Sequence, residues 1–361
     1  MNDFKVYYLA AKAFFNNEPI YGVQFGLTSG YYKYSPVFII FFSPYLIFSY
    51  KTACILHALI LAVSTVITLI SARNILVKNV VQSEIQNKYL LIFAIFIIVN
   101  HLFREIHLGN LNMIIVMLLC LGFQKMLEGD FILPGFLIAL AIFIKPYLII
   151  LIIPLFFHKK IKFIWSLSLW IGFLFFLPIT FLGSNKFIQL NQKWIHEIFQ
   201  HGAYLYSNHT FTSLIRNYIT LQLNEHSHVS FLLGLIFIYT LVYFTTLKKY
   251  SAISEKNNNK ALIFSYFILL AIIPNILITD TEHFLYSTPL ILFSIYYLQN
   301  QPNSKYLILF VVFSVLYGIN STDILGRELS GKFESLGILG IANLGLIATF
   351  ILIQHNVKLK N

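Results

Sequence analysis

The chain has 361 residues, 58% of them hydrophobic and only 11% charged, against about 25% charged in an ordinary soluble domain. That balance excludes a soluble enzyme or binding module, and hydrophobic stretches recurring from Ser35 onward leave no polar segment long enough for a separate soluble domain. The formal charge of +11 is scattered over short connections rather than gathered on one face, which reads as membrane topology and not as nucleic-acid binding.

In chain order, the opening Met1-Asn2-Asp3-Phe4-Lys5 has no apolar core of the signal-peptide kind and is not read as a cleavable leader. Phe4, Tyr7, Tyr8, Ala11, Phe14 and Phe15 follow at amphipathic spacing and predict an interfacial helix. Pro36 to Phe48 is apolar but short and holds Pro44, so it reads as an interfacial or re-entrant element. Membrane spans are predicted at 51–72, 89–103, 111–127, 161–182, 229–247, 261–278, 284–299, 305–320 and 336–354. The fold class is an all-α polytopic membrane protein with about ten transmembrane helices plus re-entrant and interfacial helices.

Basic connections run from Arg73 to Lys88, from His158 to Lys162, from Lys248 to Lys260, at Lys305 and at Lys358 and Lys360; these are expected to face the cytoplasm. Segments 1–35, 104–110, 184–228, 279–283 and 321–335 hold most of the acidic residues and are expected to face outward. Parity then requires 131–157 to enter and return, turning at Lys145-Pro146, because a mid-helix Pro breaks a backbone hydrogen bond. One membrane domain spans 1–361, divided into an outward segment 1–35, helices over 36–183, a large structureless outward loop 184–228 and helices over 229–361. Cys54 and Cys120 lie far apart in apolar runs and fit packing rather than a disulfide or zinc site.

Five patches carry a family signal through their order and spacing. They are Asp3 to Ala11 with Pro19-Ile20-Tyr21, then Tyr32-Lys33-Tyr34-Ser35-Pro36, then Gly109-Asn110-Leu111-Asn112, then Ala139 to Lys145-Pro146, and last Asn208-His209-Thr210 through Arg216. Together they resemble glycosyltransferase family 87, the polyprenyl-phosphate-mannose-dependent α-mannosyltransferases of the multi-span GT-C class. In the third patch Asn110 stands where the family usually has Gln. Family members place a helix before the aspartate matched by Asp3, so the expectation is that a natural first span precedes the residues given.

The resemblance implies a GT-C-type architecture and a hexose, mannose, moved from a polyprenyl phosphate to a glycan or glycolipid hydroxyl with inversion, on the extracytoplasmic face of the plasma membrane. Such chemistry needs a base for the acceptor hydroxyl, cations for the departing phosphate and an apolar groove for the lipid. Asp3 is the candidate base, and equally an N-cap for the helix that follows it. Lys145, Arg216, His283 and Arg104 are the candidate phosphate-binding cations. A Lys in an apolar segment costs roughly 2.5–3.5 kcal/mol on insertion scales and so points to a functional cavity, with snorkelling as the alternative.

Arg216 can grip phosphate bidentately or be an ordinary surface residue. Arg104 and Glu105 also read as a pair at the membrane surface. His107, Asn110 and Asn112 place polar groups at a helix N-terminus, which favours an anion or simply caps the helix. Asn208 and Tyr34 complete the substrate-binding candidates, although Tyr31, Tyr32 and Tyr34 equally fit an aromatic belt. Trp194, His196, Tyr204 and Tyr206 are placed to meet an acceptor. Asp280, Glu282 and His283 form a short polar outward turn in which only His283 carries a family parallel.

No metal or other cofactor is expected, since His226-Ser227-His228 lacks a further ligand set. The expected partners are membrane lipid, the polyprenyl-phosphate sugar and the acceptor. Two other readings stay open: a related GT-C transferase, ligase or polymerase using another lipid-linked sugar, and a transporter or lipid flippase. Against transport, Lys145 shows no carboxylate partner in the sequence and the spans show no internal repeat.

Overall fold

The structure is a computed structural model and describes residues 1–27, 30–81, 89–204, 207–219, 255–277 and 280–359. The described residues fold into helices, with a single isolated β-bridge between Gln24 and Tyr31. Their chemistry dictates this, because a backbone in lipid must satisfy its own polar groups and a helix does so within one segment. The predicted span 229–247, the His226-Ser227-His228 pair and Tyr206 lie outside the described residues.

The chain forms two compact units. The first contains residues 1–71, 103–152 and 159–205, and the second contains 72–102, 153–158 and 206–361.

In the first unit, α1 (Asn2–Phe15) is followed by α2 (Pro36–Phe42), which runs into a 3-10 turn over Ser43–Ile47. Pro36 takes the first position of α2, where its missing N–H costs no hydrogen bond. The long α3 (Tyr50–Leu76) begins in this unit, and α4 (Tyr89–Leu108) ends in it. Then come α5 (Asn112–Leu127) and α6 (Ile132–Ile144), which stops at Lys145 and gives way to a 3-10 turn over Pro146–Leu151. The break expected at Lys145-Pro146 is therefore present, with Lys145 in an extended conformation (φ −135°, ψ 96°). A short α7 (Ile152–Phe157) precedes α8 (Ile161–Phe176) and α9 (Ile179–Tyr204). Helix α6 packs between α5 and α8. Gly135 makes the second contact possible: a Cβ there would stand 2.6 Å from Ser166 Oγ.

The second unit holds α10 (Phe211–Ile219), α11 (Glu255–Ile276), a buried 3-10 turn over Thr281–Ser287, and α12 (Thr288–Asn300). It ends with α13 (Ser304–Gly318), α14 (Thr322–Ser335) and α15 (Ile338–Leu359), the last packed against both α13 and α11. Asn303 caps α13 by accepting from the backbone N–H groups of Lys305 and Tyr306.

Among the described residues, three helices are long and apolar enough to cross a bilayer: Tyr50–Val80, Tyr89–Leu108 and Asn258–Ile276. Two bent pairs, α8 with α9 at 80° and α13 with α14 at 93°, raise that to five if each pair is one span. The predicted spans 111–127 and 336–354 correspond to shorter apolar helices. With this composition the chain is an integral membrane protein.

Three expectations need correction. First, part of the apolar face of α1 is covered by protein, while Phe15 is exposed. Phe4, Tyr7 and Ala11 are buried in protein, with Phe4 stacked on His57 at 4.6 Å between ring centroids. An amphipathic face has no preference between lipid and a protein wall, and here the wall formed by α2 and its 3-10 turn supplies the cover. Second, the stretch 184–228 is not a structureless loop: α9 runs through it to Tyr204 and α10 occupies 211–219, and the acidic segment 321–335 is likewise helical. Polar helices such as these lack the apolar run that marks a span, so hydropathy reads them as loops. Third, the polar turn at Asp280-Thr281-Glu282-His283 is only partly at the surface, with Asp280 exposed and Glu282 and His283 buried.

Candidate active site

The first unit gathers several of the predicted site residues around the N-terminal ends of α1 and α5. Glu105, near the end of α4, is fully buried. One carboxylate oxygen accepts from the backbone N–H of Met113 at 3.1 Å, and the other accepts from Asn112 Nδ2 at 2.9 Å. Both donors belong to the first turn of α5, where backbone N–H groups have no acceptor within the helix. The other end of the Asn112 amide accepts from Lys145 Nζ at 2.6 Å. Lys145 is itself only 7% exposed. A buried ammonium is thereby linked to a buried carboxylate through one amide.

This corrects two expectations. Glu105 is not confined to a surface pair with Arg104, which lies exposed on the adjoining face of α4. Lys145 does have a carboxylate in its network, and it does not snorkel to an aqueous surface. The break before Pro146 is what lets Lys145 leave the helical path of α6. Ser35 holds the segment just before the break, its hydroxyl donating to the Phe143 carbonyl at 3.2 Å.

Beside this network stand two buried tyrosines. Tyr7 and Tyr34 share a hydrogen bond at 2.9 Å between their hydroxyls, and Tyr7 also reaches Asn110 Oδ1 at 3.4 Å. Burial pushes both phenols well above the ordinary value, and the carboxylates of Asp3 and Glu105 add smaller contributions in the same direction. Both carboxylates are thus within electrostatic reach of the pair. Tyr147, immediately after the Lys145-Pro146 break, also acts on Tyr34.

Asp3 sits in the first turn of α1, with Met1 at the N-cap position, so the capping reading of Asp3 does not hold. Its side chain is half-buried.

The backbone around the site is held by side chains that sequence reading missed. His57 of α3 accepts a hydrogen bond from Tyr45 at Nδ1 (3.1 Å) and places Nε2 against the carbonyls of Gly109 and Asn110 at 3.1 and 3.2 Å. Since carbonyls only accept, Nε2 carries the proton. Gly109 turns with φ +70°, and a Cβ there would meet Phe4 Cβ at 2.6 Å. The strand-like segment Tyr32–Ser35 is fixed by three donors: Tyr21 Oη to the Tyr34 carbonyl at 2.7 Å, Tyr32 Oη to the Ser35 carbonyl at 3.1 Å, and Trp194 Nε1 to the Lys33 carbonyl at 3.1 Å. Tyr32 and Tyr34 therefore belong to the interior and not to a lipid-facing belt, and Trp194 is a buried tie rather than an exposed sugar platform. His107 and His196 are exposed.

Leu102, Glu105 and Gly109 are buried while Phe103, Arg104 and His107 are exposed, so Glu105 lies on the inner face of α4.

The remaining candidates, Asn208, Arg216 and His283, belong to the second unit. Asn208 is half-buried and Arg216 exposed near the end of α10, while His283 Nδ1 lies 3.2 Å from the Asp280 carbonyl. The motif Asn208-His209-Thr210 starts α10: Thr210 Oγ1 accepts from the Ser213 N–H at 3.2 Å, a helix cap. Asn275 Nδ2 donates to the His209 carbonyl at 3.0 Å, and Asn343 Nδ2 in turn donates to Asn275 Oδ1 at 2.7 Å. His209 itself is buried with Nε2 3.1 Å from Glu334 Oε2. The unit also contains an apolar cavity of about 870 Å³, lined in part by Phe93, Phe96, Ile97, Leu298, Phe310 and Val311. Among the described residues no three His, Cys, Asp or Glu side chains are gathered so as to hold a metal ion.

The first unit of this helical membrane protein thus encloses a set of buried polar and titratable side chains around α1 and α5. The family model of glycosyltransferase family 87 matches residues 32–274, which is more than half of the chain. The chain belongs to glycosyltransferase family 87 and is a glycosyltransferase. A search of the curated proteins returns no match. Tyr34, Arg104, His107, Asn110, Asn112, Lys145, Asn208 and Arg216 fall within the matched residues, whereas Asp3 and His283 fall outside them.

Proposed function

We propose that this transferase moves mannose from a polyprenyl phosphate to a hydroxyl of a glycan or glycolipid, with inversion, on the extracytoplasmic side of the plasma membrane. One observation supports the reading: Lys145, nearly buried, is linked through Asn112 to Glu105, and the Asp3 and Glu105 carboxylates both act on the buried Tyr7–Tyr34 pair. In the reaction Asp3 takes the proton of the acceptor hydroxyl as its oxygen bonds to the anomeric carbon. The bond from that carbon to the phosphate oxygen breaks on the opposite face, and the polyprenyl phosphate leaves with the electron pair. Lys145, helped by Arg104, meets the charge that develops on the phosphate.

Tyr34, His107 and Asn110 are assigned to substrate binding, whereas the Asn112 amide is engaged at both ends by Glu105 and Lys145 and is not assigned a direct substrate contact. The roles of Asn208, Arg216 and His283 rest on the family resemblance. The apolar cavity of the second unit is of a chemistry that suits an isoprenoid or acyl chain. A polyprenyl tail loses about 0.8 kcal/mol per CH₂ on leaving the bilayer, which favours reaction at the membrane surface. No metal or other cofactor enters this scheme.

The test is incubation of purified protein with labelled polyprenyl-phosphate mannose and cell-envelope glycans, with mass spectrometry of the products. An α-mannoside product is expected. Transfer only from a different lipid-linked sugar would instead support the related GT-C reading, and uptake into sealed vesicles without any glycosidic product would support transport. In the same assay Asp3→Asn is expected to abolish turnover while expression is kept; full activity in that variant removes Asp3 from the mechanism.

A further inference from the structure

We propose that Glu105 is a positioning residue of this site, acting through Asn112 to fix the direction in which Lys145 presents its ammonium to an anionic phosphate. The inference rests on the placement of Lys145 in the phosphate site proposed above, and adds a residue to which no role has been given.

The geometry admits one assignment. An ionised carboxylate only accepts hydrogen bonds and an ammonium only donates them, so the amide between them must turn its NH₂ to Glu105 and its oxygen to Lys145. Glu105 thereby selects one of the two orientations open to Asn112. Its other oxygen holds the Met113 N–H, which ties the carboxylate to the start of α5 and leaves it little freedom to rotate. An ammonium has three N–H donors in fixed tetrahedral relation, so its bond to Asn112 sets where the other two point.

Both ends of the Asn112 amide are thus engaged within the protein, and its part in the site is to transmit this orientation. A neutral glutamine at 105 would offer both donor and acceptor, and the amide at 112 would lose its reason to keep the oxygen toward Lys145. Full burial of Glu105 and near-full burial of Lys145 mean that water does not substitute for the missing partner.

The experiment compares donor and acceptor kinetics of purified full-length wild type, Glu105→Gln, Lys145→Gln and the double variant, using labelled polyprenyl-phosphate mannose as donor. Glu105→Gln is expected to raise the donor KM about tenfold and leave the acceptor KM unchanged. The double variant is expected to be no worse than Lys145→Gln alone, because two members of one chain of contacts are non-additive. A merely structural Glu105 would change both KM values together or add its effect to that of Lys145→Gln.

If Lys145→Gln leaves the donor KM unchanged, the phosphate site itself fails and this inference with it. If Lys145→Gln raises the donor KM and Glu105→Gln does not, the inference alone is overturned. Should Glu105→Gln not fold, Asn112→Ala replaces it, since it keeps the Glu105 bond to Met113 and removes the link to Lys145. The same donor-selective rise is expected there, and its absence overturns the inference.

Discussion

Tyr7 and Tyr34 lie within electrostatic reach of the Asp3 and Glu105 carboxylates, and their burial gives a pH signature. Their folded-state pKa values lie above the ordinary value of 10.0. The stabilisation from keeping these phenols protonated is therefore full below about pH 10 and falls as pH rises beyond it, where the unfolded chain ionises first. Melting temperatures from pH 8 to 11 are expected to fall less steeply in Tyr7→Phe/Tyr34→Phe than in wild type. A second test at this scale is Gly109→Ala. With φ at +70° and Phe4 Cβ 2.6 Å from the would-be Cβ, alanine there is expected to cost about 1–3 kcal/mol, read as a lowered melting temperature in detergent. Asp3, Lys145 and Asn112 were all visible as candidates in the sequence, whereas Glu105 and His57 were not. Their roles depend on partners 7 and 52 residues away, and no local pattern encodes those.

Breaks were easier to read than bends at the scale of elements. Proline removes a backbone donor whatever surrounds it, so the interruption at Lys145-Pro146 and the short helix from Pro36 followed from residue chemistry alone. The 80° bend between α8 and α9 did not, nor did the 93° bend between α13 and α14. The start of α10 depends likewise on distant elements, since Asn275 of α11 donates to both the His209 and Gly340 carbonyls at 3.0 and 3.1 Å. Asn275→Ala leaves those buried acceptors unpaired and is expected to cost about 1–3 kcal/mol. Thermal denaturation in detergent, with Asn275→Asp as a control that retains an oxygen but no donor, checks this: both variants are expected to fall together if the donated bonds matter.

For the whole molecule, the bilayer is the main solvent, and that follows from composition before any helix is placed. The protein is expected to stay with the membrane pellet through an alkaline carbonate wash and to need detergent for release; recovery in the wash supernatant would contradict integral insertion. The sequence alone determined the helical membrane class, the spans near 51–72, 89–103 and 261–278 and the family, because hydropathy and short motifs act locally and survive without neighbours. Only the tertiary structure decided that Phe4 and Tyr7 of α1 are covered by protein, that 184–204 is helical, and that Glu105 reaches Lys145 through Asn112. Burial and hydrogen-bond partnership belong to pairs of residues far apart in the chain, and a one-dimensional pattern records each member of such a pair but not their meeting.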